Sequence, residues 1–121
     1  MAQRLFLVDV FAEKPYAGNP LAVVVSNEWL DVERMQQVAQ EINFSETTFV
    51  TPAAEADGSY RVRIFTPARE IAFAGHPILG TAWVLREFVT PGRPAQLHLN
   101  LPVGRIPVTF EVGAELRDVV W

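Results

Sequence analysis

The sequence has 121 residues, half of them hydrophobic and a fifth charged, which suits one packed domain and is too short for two ordinary ones. Ten basic against 14 acidic residues give a formal charge of -4 with no run of Lys or Arg, so nucleic acid and anionic membrane surfaces are poor partners. There is no cysteine, which excludes disulfides, thiolate metal sites and a cysteine nucleophile.

Leu5 to Phe11 is an apolar run interrupted by Asp9, which predicts a strand buried on both faces. That early charge is wrong for a signal peptide, and the longest uncharged stretch, Ile71 to Leu85, is too short and too broken to span a bilayer. A cytoplasmic domain with no membrane partner is the expectation. Tyr16-Ala17-Gly18-Asn19-Pro20 is turn chemistry, and Leu21 to Val25 reads as a second strand. Asp31 is a candidate N-cap for an outer helix over 31–42, whose Met35, Val38, Ala39 and Ile42 fall at helical spacing. Glu33, Arg34, Gln36, Gln37 and Gln40 would then face water.

Thr47 to Val50 reads as a strand, the segment from Ala53 to Ser59 as a loop, and Tyr60 to Phe65 as an alternating strand with Arg61 and Arg63 on a solvated face. A turn at Pro67-Ala68 leads to a short run from Ile71 to Phe73. The next element, 77–88, is predicted as a helix with Pro77 at its first position and His76 as N-cap. Its apolar residues cover nearly the whole circumference, and a helix apolar all round must be buried on all sides. In so short a chain only a sheet wrapped around it can do that. Strands for this follow: Leu97, Leu99 and Leu101 alternate with His98 and Asn100, and Ile106, Val108, Phe110 and Val112 follow a turn at Val103-Gly104. Pro107 cannot donate to a ladder, so its strand is an edge or carries a bulge there. The predicted class is α+β: one domain, 1–121, in which a curved mixed sheet is folded round a central buried helix.

Three places could carry chemistry. A buried helix start leaves N–H groups without intrahelical partners, so Ala74-Gly75-His76-Pro77 is a candidate carboxylate cradle, with free donors near Ile78 to Gly80; the alternative is a helix capped by its own loop. Glu46 lies in the Asn43-Phe44-Ser45-Glu46-Thr47-Thr48-Phe49 segment between helix and strand. It is either a general acid or base in a partly dry site or a solvated glutamate, with Ser45 a helper or a turn residue. Asp9 in its apolar strand must be paired, hydrogen-bonded or at the sheet's mouth, and a structural partner such as an arginine is expected ahead of catalysis. His76 and His98 are far apart and lack clustered carboxylates, so no metal site is expected.

Taken together, Asp9-Val10-Phe11, Gly18-Asn19-Pro20-Leu21-Ala22-Val23-Val24, Asn43 to Val50, Arg63-Ile64-Phe65-Thr66-Pro67 and Phe73-Ala74-Gly75-His76-Pro77 through Gly80-Thr81-Ala82 occur in an order that resembles the N-terminal half of the phenazine-biosynthesis PhzF family, relatives of diaminopimelate epimerase. The resemblance extends over essentially the whole chain. It implies two similar lobes, each a sheet wrapped about a central helix, with the site between them; the second lobe is absent from these residues. It implies that Glu46 is the general acid/base of a cofactor-independent proton shift. Gly75 and His76 would bind the substrate carboxylate, with Ser45 nearby and Asn19 approaching from its turn. Epimerase relatives use a cysteine pair, and Gly75 stands where the first would be, so the implied branch is the carboxylate-based isomerase, whose named substrate is trans-2,3-dihydro-3-hydroxyanthranilate.

Three functions follow. The first is an isomerase lobe completed by a second copy or by a separately encoded second lobe, acting on a small carboxylate. The second is a non-catalytic lobe that binds a carboxylate or dimerises. The third is a hot-dog-type thioester enzyme, disfavoured because such folds place most strands after the helix.

Overall fold

The computed structural model describes residues 3–10, 19–110 and 119–120. Strand β1 (Gln3–Val10) pairs antiparallel with β2 (Asn19–Ser26), which runs parallel to β3 (Glu46–Val50). β3 pairs antiparallel with β4 (Tyr60–Phe65), and β4 takes the short β5 (Glu70–Ile71) at one end and β6 (Gln96–Leu101) at the other. β7 (Gly104–Phe110) and β8 (Val119–Val120) complete a mixed eight-stranded sheet. Helix α1 (Val32–Ile42) lies on one face. Helix α2 (Gly75–Val84) is the central one, packed against β1, β2, β3, β6 and β8.

The α+β expectation of a sheet around one buried helix holds. Seven of α2's ten residues are buried, Pro77 to Ala82 and Val84, and they meet Leu21, Val23, Val25, Val50, Val62, Ile64, Leu99 and Val108 from the sheet. Burial of apolar surface, at about 25 cal/mol per Å², is what holds a helix that contains two glycines and a proline. A second, smaller cluster lies on the other face, where Met35 and Ala39 of α1 meet Val24, Phe49 and Phe65. Asp31 caps α1 as its residue type predicts, accepting from the Arg34 N–H at 2.8 Å.

Several expectations are corrected. β1 is an edge strand covered on one face only: Phe6 and Val8 pack on the core, whereas Leu5 and Leu7 are 53% and 63% exposed. Asp9 is exposed on that outer face, and no ion pair forms for it among the described residues. β2 begins earlier than Leu21, because Asn19 and Pro20 pair with Val10 and Asp9. The rest of the expected turn, Tyr16 to Gly18, lies outside the described residues, as do Phe11 and Val112. Gln36 is half-buried rather than solvated, its amide donating to the Thr66 and Pro67 carbonyls at 2.8 and 3.2 Å. The run expected at Ile71 to Phe73 is strand only at Glu70–Ile71. Arg63 is not a solvated face residue either: its guanidinium clamps Glu70 through two bonds of 2.6 and 2.8 Å.

The central helix starts two residues before Pro77 and ends before Phe88. Ala74, in extended conformation, is the N-cap, and Gly75, His76 and Pro77 form the first turn. After Val84 the chain widens into a π-helical turn, Leu85–Val89, closed by the Thr90 N–H on the Leu85 carbonyl at 2.7 Å. Pro77 fits the third position as well as the first, since neither N–H has an intrahelical acceptor. Pro107 is accommodated as an edge residue: the Phe110 N–H reaches Ala95 across the β6 side, so alternation turns the Pro107 nitrogen the other way, where β8 pairs only Thr109 and Phe110.

Candidate functional site at the start of the central helix

β2 and β3 run parallel, so their first residues lie at the same end of the sheet, with Leu21 opposite Glu46. Alternation along β3 puts Glu46, Thr48 and Val50 on the α2 face and Thr47 and Phe49 on the α1 face. α2 then presents His76 to Glu46 and Thr81 to Thr48. These contacts occur in the same order along both elements, so α2 runs in the direction of β3. Its positive dipole end therefore points to the end of the sheet where Glu46 sits.

Glu46 Oε1 lies 2.6 Å from His76 Nε2, and the two side chains are only 16% and 17% exposed. The separation is that of an ion pair, yet neither atom has a partner in hydrogen-bond geometry. The proximity is therefore real while the alignment is poor, and both groups keep capacity for a third partner.

No side chain caps α2. The earlier helix start moves the free donors from Ile78 to Gly80, where sequence placed them, to the Gly75 and His76 N–H groups, beside the carboxylate–imidazole pair. His76 is thus inside the first turn and is not the N-cap. Ser45 is exposed immediately before Glu46. Asn19 begins β2 two residues before Leu21, so its backbone lies at the same end, while its side chain lies outside the described residues. The structure thus brings Glu46, Gly75 and His76 together, with Ser45 adjacent. Sequence reasoning missed the Thr48–Thr81 hydrogen bond of 2.7 Å between two fully buried hydroxyls. Among the described residues no three His, Asp or Glu side chains converge to hold a metal ion, and no helix is long and apolar enough to cross a membrane.

Comparison with known proteins identifies the family and the fold. The chain is 44% identical over 108 residues to the trans-2,3-dihydro-3-hydroxyanthranilate isomerase of Pseudomonas aeruginosa, covering 89% of this chain and 37% of that protein. The isomerase of the same name from Pseudomonas chlororaphis is 47% identical over 114 residues, 94% of this chain and 39% of its own. The crystal structure of a phenazine biosynthesis PhzF family protein from Enterococcus faecalis superposes with a TM-score of 0.83 at 40% identity, over 92% of this chain and 41% of that one. The chain spans about two fifths of the length of these relatives. Among the described residues five strands precede α2, and the lobe matches the epimerase-like architecture rather than a hot-dog. The profile of the phenazine biosynthesis-like proteins matches residues 8–120, and the chain belongs to this PhzC-PhzF family.

Proposed function

We propose that the chain is the Glu46-bearing lobe of a cofactor-independent isomerase that shifts a proton on a small unsaturated or cyclic carboxylate. The observation that carries this reading is the close Glu46–His76 contact at the uncapped start of a buried helix. The substrate carboxylate is held by the Gly75 and His76 N–H groups, where the helix dipole favours negative charge. Glu46 takes a proton from one carbon and returns it to another, acting as base and then as acid, and His76 orients the carboxylate. The relatives named as trans-2,3-dihydro-3-hydroxyanthranilate isomerases support that compound as the first substrate to try. The site is completed by a facing surface, from a second copy of this chain or from a second lobe, since an acid/base in an open cleft competes with water.

The test is solvent deuterium incorporation into trans-2,3-dihydro-3-hydroxyanthranilate, followed by NMR, for the chain and for Glu46→Gln. Exchange that falls at least 100-fold in the variant is expected from loss of an acid/base group. Exchange that survives Glu46→Gln at the original rate removes Glu46 from the mechanism. Carboxylate binding without deuterium uptake, persisting when a facing second lobe is supplied, turns the assignment to a binding lobe.

A further inference from the structure

The Glu46–His76 contact cannot hold itself in place, because its two atoms are close without being aligned. Around it, the α2–sheet interface is apolar, with Ile78, Leu79, Ala82 and Val84 packed on valines and leucines. Apolar contact is non-directional, so it fixes register less sharply than a hydrogen bond of one length and direction. Thr48 and Thr81 are the exception: among the described residues they are the buried polar side chains between β3 and α2, both 0% exposed, joined at 2.7 Å. They sit two residues from Glu46 along the strand and five from His76 along the helix. Those steps span about 6.6 Å and about 7.5 Å, so one placement of the helix satisfies both contacts. A slide by one turn, about 5.4 Å, breaks both.

We propose that the Thr48–Thr81 hydrogen bond is the register pin of this site: Thr48 and Thr81 are positioning residues that set Glu46 against His76. The proposal rests on the isomerase reading for its kinetic consequence and on geometry alone for its structural one. Replacing both hydroxyls by methyls of the same shape leaves no unpaired polar group, so Thr48→Val/Thr81→Val keeps a packed interface. Either single valine substitution strands one hydroxyl, whereas Thr81→Ser keeps the hydroxyl and the bond.

Two measurements test this on the chain. The first is spectroscopic: at one fixed pH, Glu46→Gln moves the His76 ring 15N signal, assigned against a His98→Gln background. In the double-valine protein the same Glu46→Gln change leaves that signal within a tenth of the original displacement, whereas Thr81→Ser keeps most of it. The second is kinetic: the double-valine protein loses 10- to 100-fold in kcat on trans-2,3-dihydro-3-hydroxyanthranilate with KM within threefold, because a displaced base costs rate more than binding. A full Glu46-dependent His76 signal in the double-valine protein overturns the pin, whatever the activity. If the starting protein shows no exchange, the chain alone is not an isomerase and the kinetic arm falls away, while the spectroscopic result still decides the pin. A urea midpoint near that of the starting protein confirms that the double variant folds.

Discussion

Arg63 and Glu70 join β4 to β5, and the chemistry of the guanidinium determines how they respond to pH. Arg63 donates two hydrogen bonds to the Glu70 carboxylate, with side chains 21% and 26% exposed. That hydrogen bonding holds the Arg63 pKa above its ordinary value, with burial acting against it and the carboxylate charge adding to it. A raised pKa contributes stability that is complete below the ordinary value and is lost only as pH climbs through the raised one. From pH 6 to 9 Arg63 is therefore charged in both folded and unfolded chains. Partly exposed pairs are worth little, and bidentate geometry places this one near the top of that range. Arg63→Gln is expected to lower stability by about 1 kcal/mol, by the same amount at pH 6 and pH 9. Urea unfolding followed by the fluorescence of Trp29 and Trp83 measures it; a difference that grows steeply over that interval means another group carries the effect.

Elements differ in how far local sequence determines them, and the errors follow that difference. α1 carries its own signals, a capping aspartate and one apolar stripe, and its predicted span of 31–42 departs from Val32–Ile42 only by the cap. β6 and β7 are equally legible because one face is buried and alternation records it. β1 misleads because an apolar run has the same composition whether one face or two are covered, and coverage is decided by distant elements. α2 misleads at its start because Gly75 and His76 have no particular preference for a helix, and the core imposes one. Glu46 by itself reads more readily as a solvated glutamate; only the resemblance carried by Ser-Glu-Thr-Thr-Phe and Phe-Ala-Gly-His-Pro together singles it out, and 30 residues separate it from His76. The Thr48–Thr81 bond had no sequence signal, since threonine is ordinary in both settings and only the packed register brings the two together. A helix held by burial should be most sensitive to loss of volume. Ile78→Ala, at a fully buried position of α2, is expected to cost about 2–5 kcal/mol. Asp31→Ala, at the α1 cap, should cost about 1 kcal/mol. Equal urea midpoints for the two variants would mean that α2 is held by something other than its core.

At the scale of the whole molecule, the sheet closes around the middle of α2 and leaves the end that carries the site accessible: Ser45, Ala72 and Phe73 are exposed beside Glu46 and His76. A carboxylate base works best where water is excluded, because low polarity strengthens its interaction with the bound substrate and prevents the proton from exchanging away. A surface facing the site is therefore a chemical need of the proposed reaction. A second copy related by a twofold axis meets it most simply, since one patch then serves both partners and each site gains a wall from the other chain. This makes association and proton transfer a linked pair of observables. Light scattering after size exclusion is expected to give twice the mass of one chain at concentrations where deuterium uptake is seen, and dilution should lose mass and uptake at the same midpoint. Uptake that persists in a protein monomeric at every concentration eliminates the second copy as the facing surface. A monomer without uptake directs the search to a separate second lobe, and adding that lobe should then restore uptake in proportion to the complex formed.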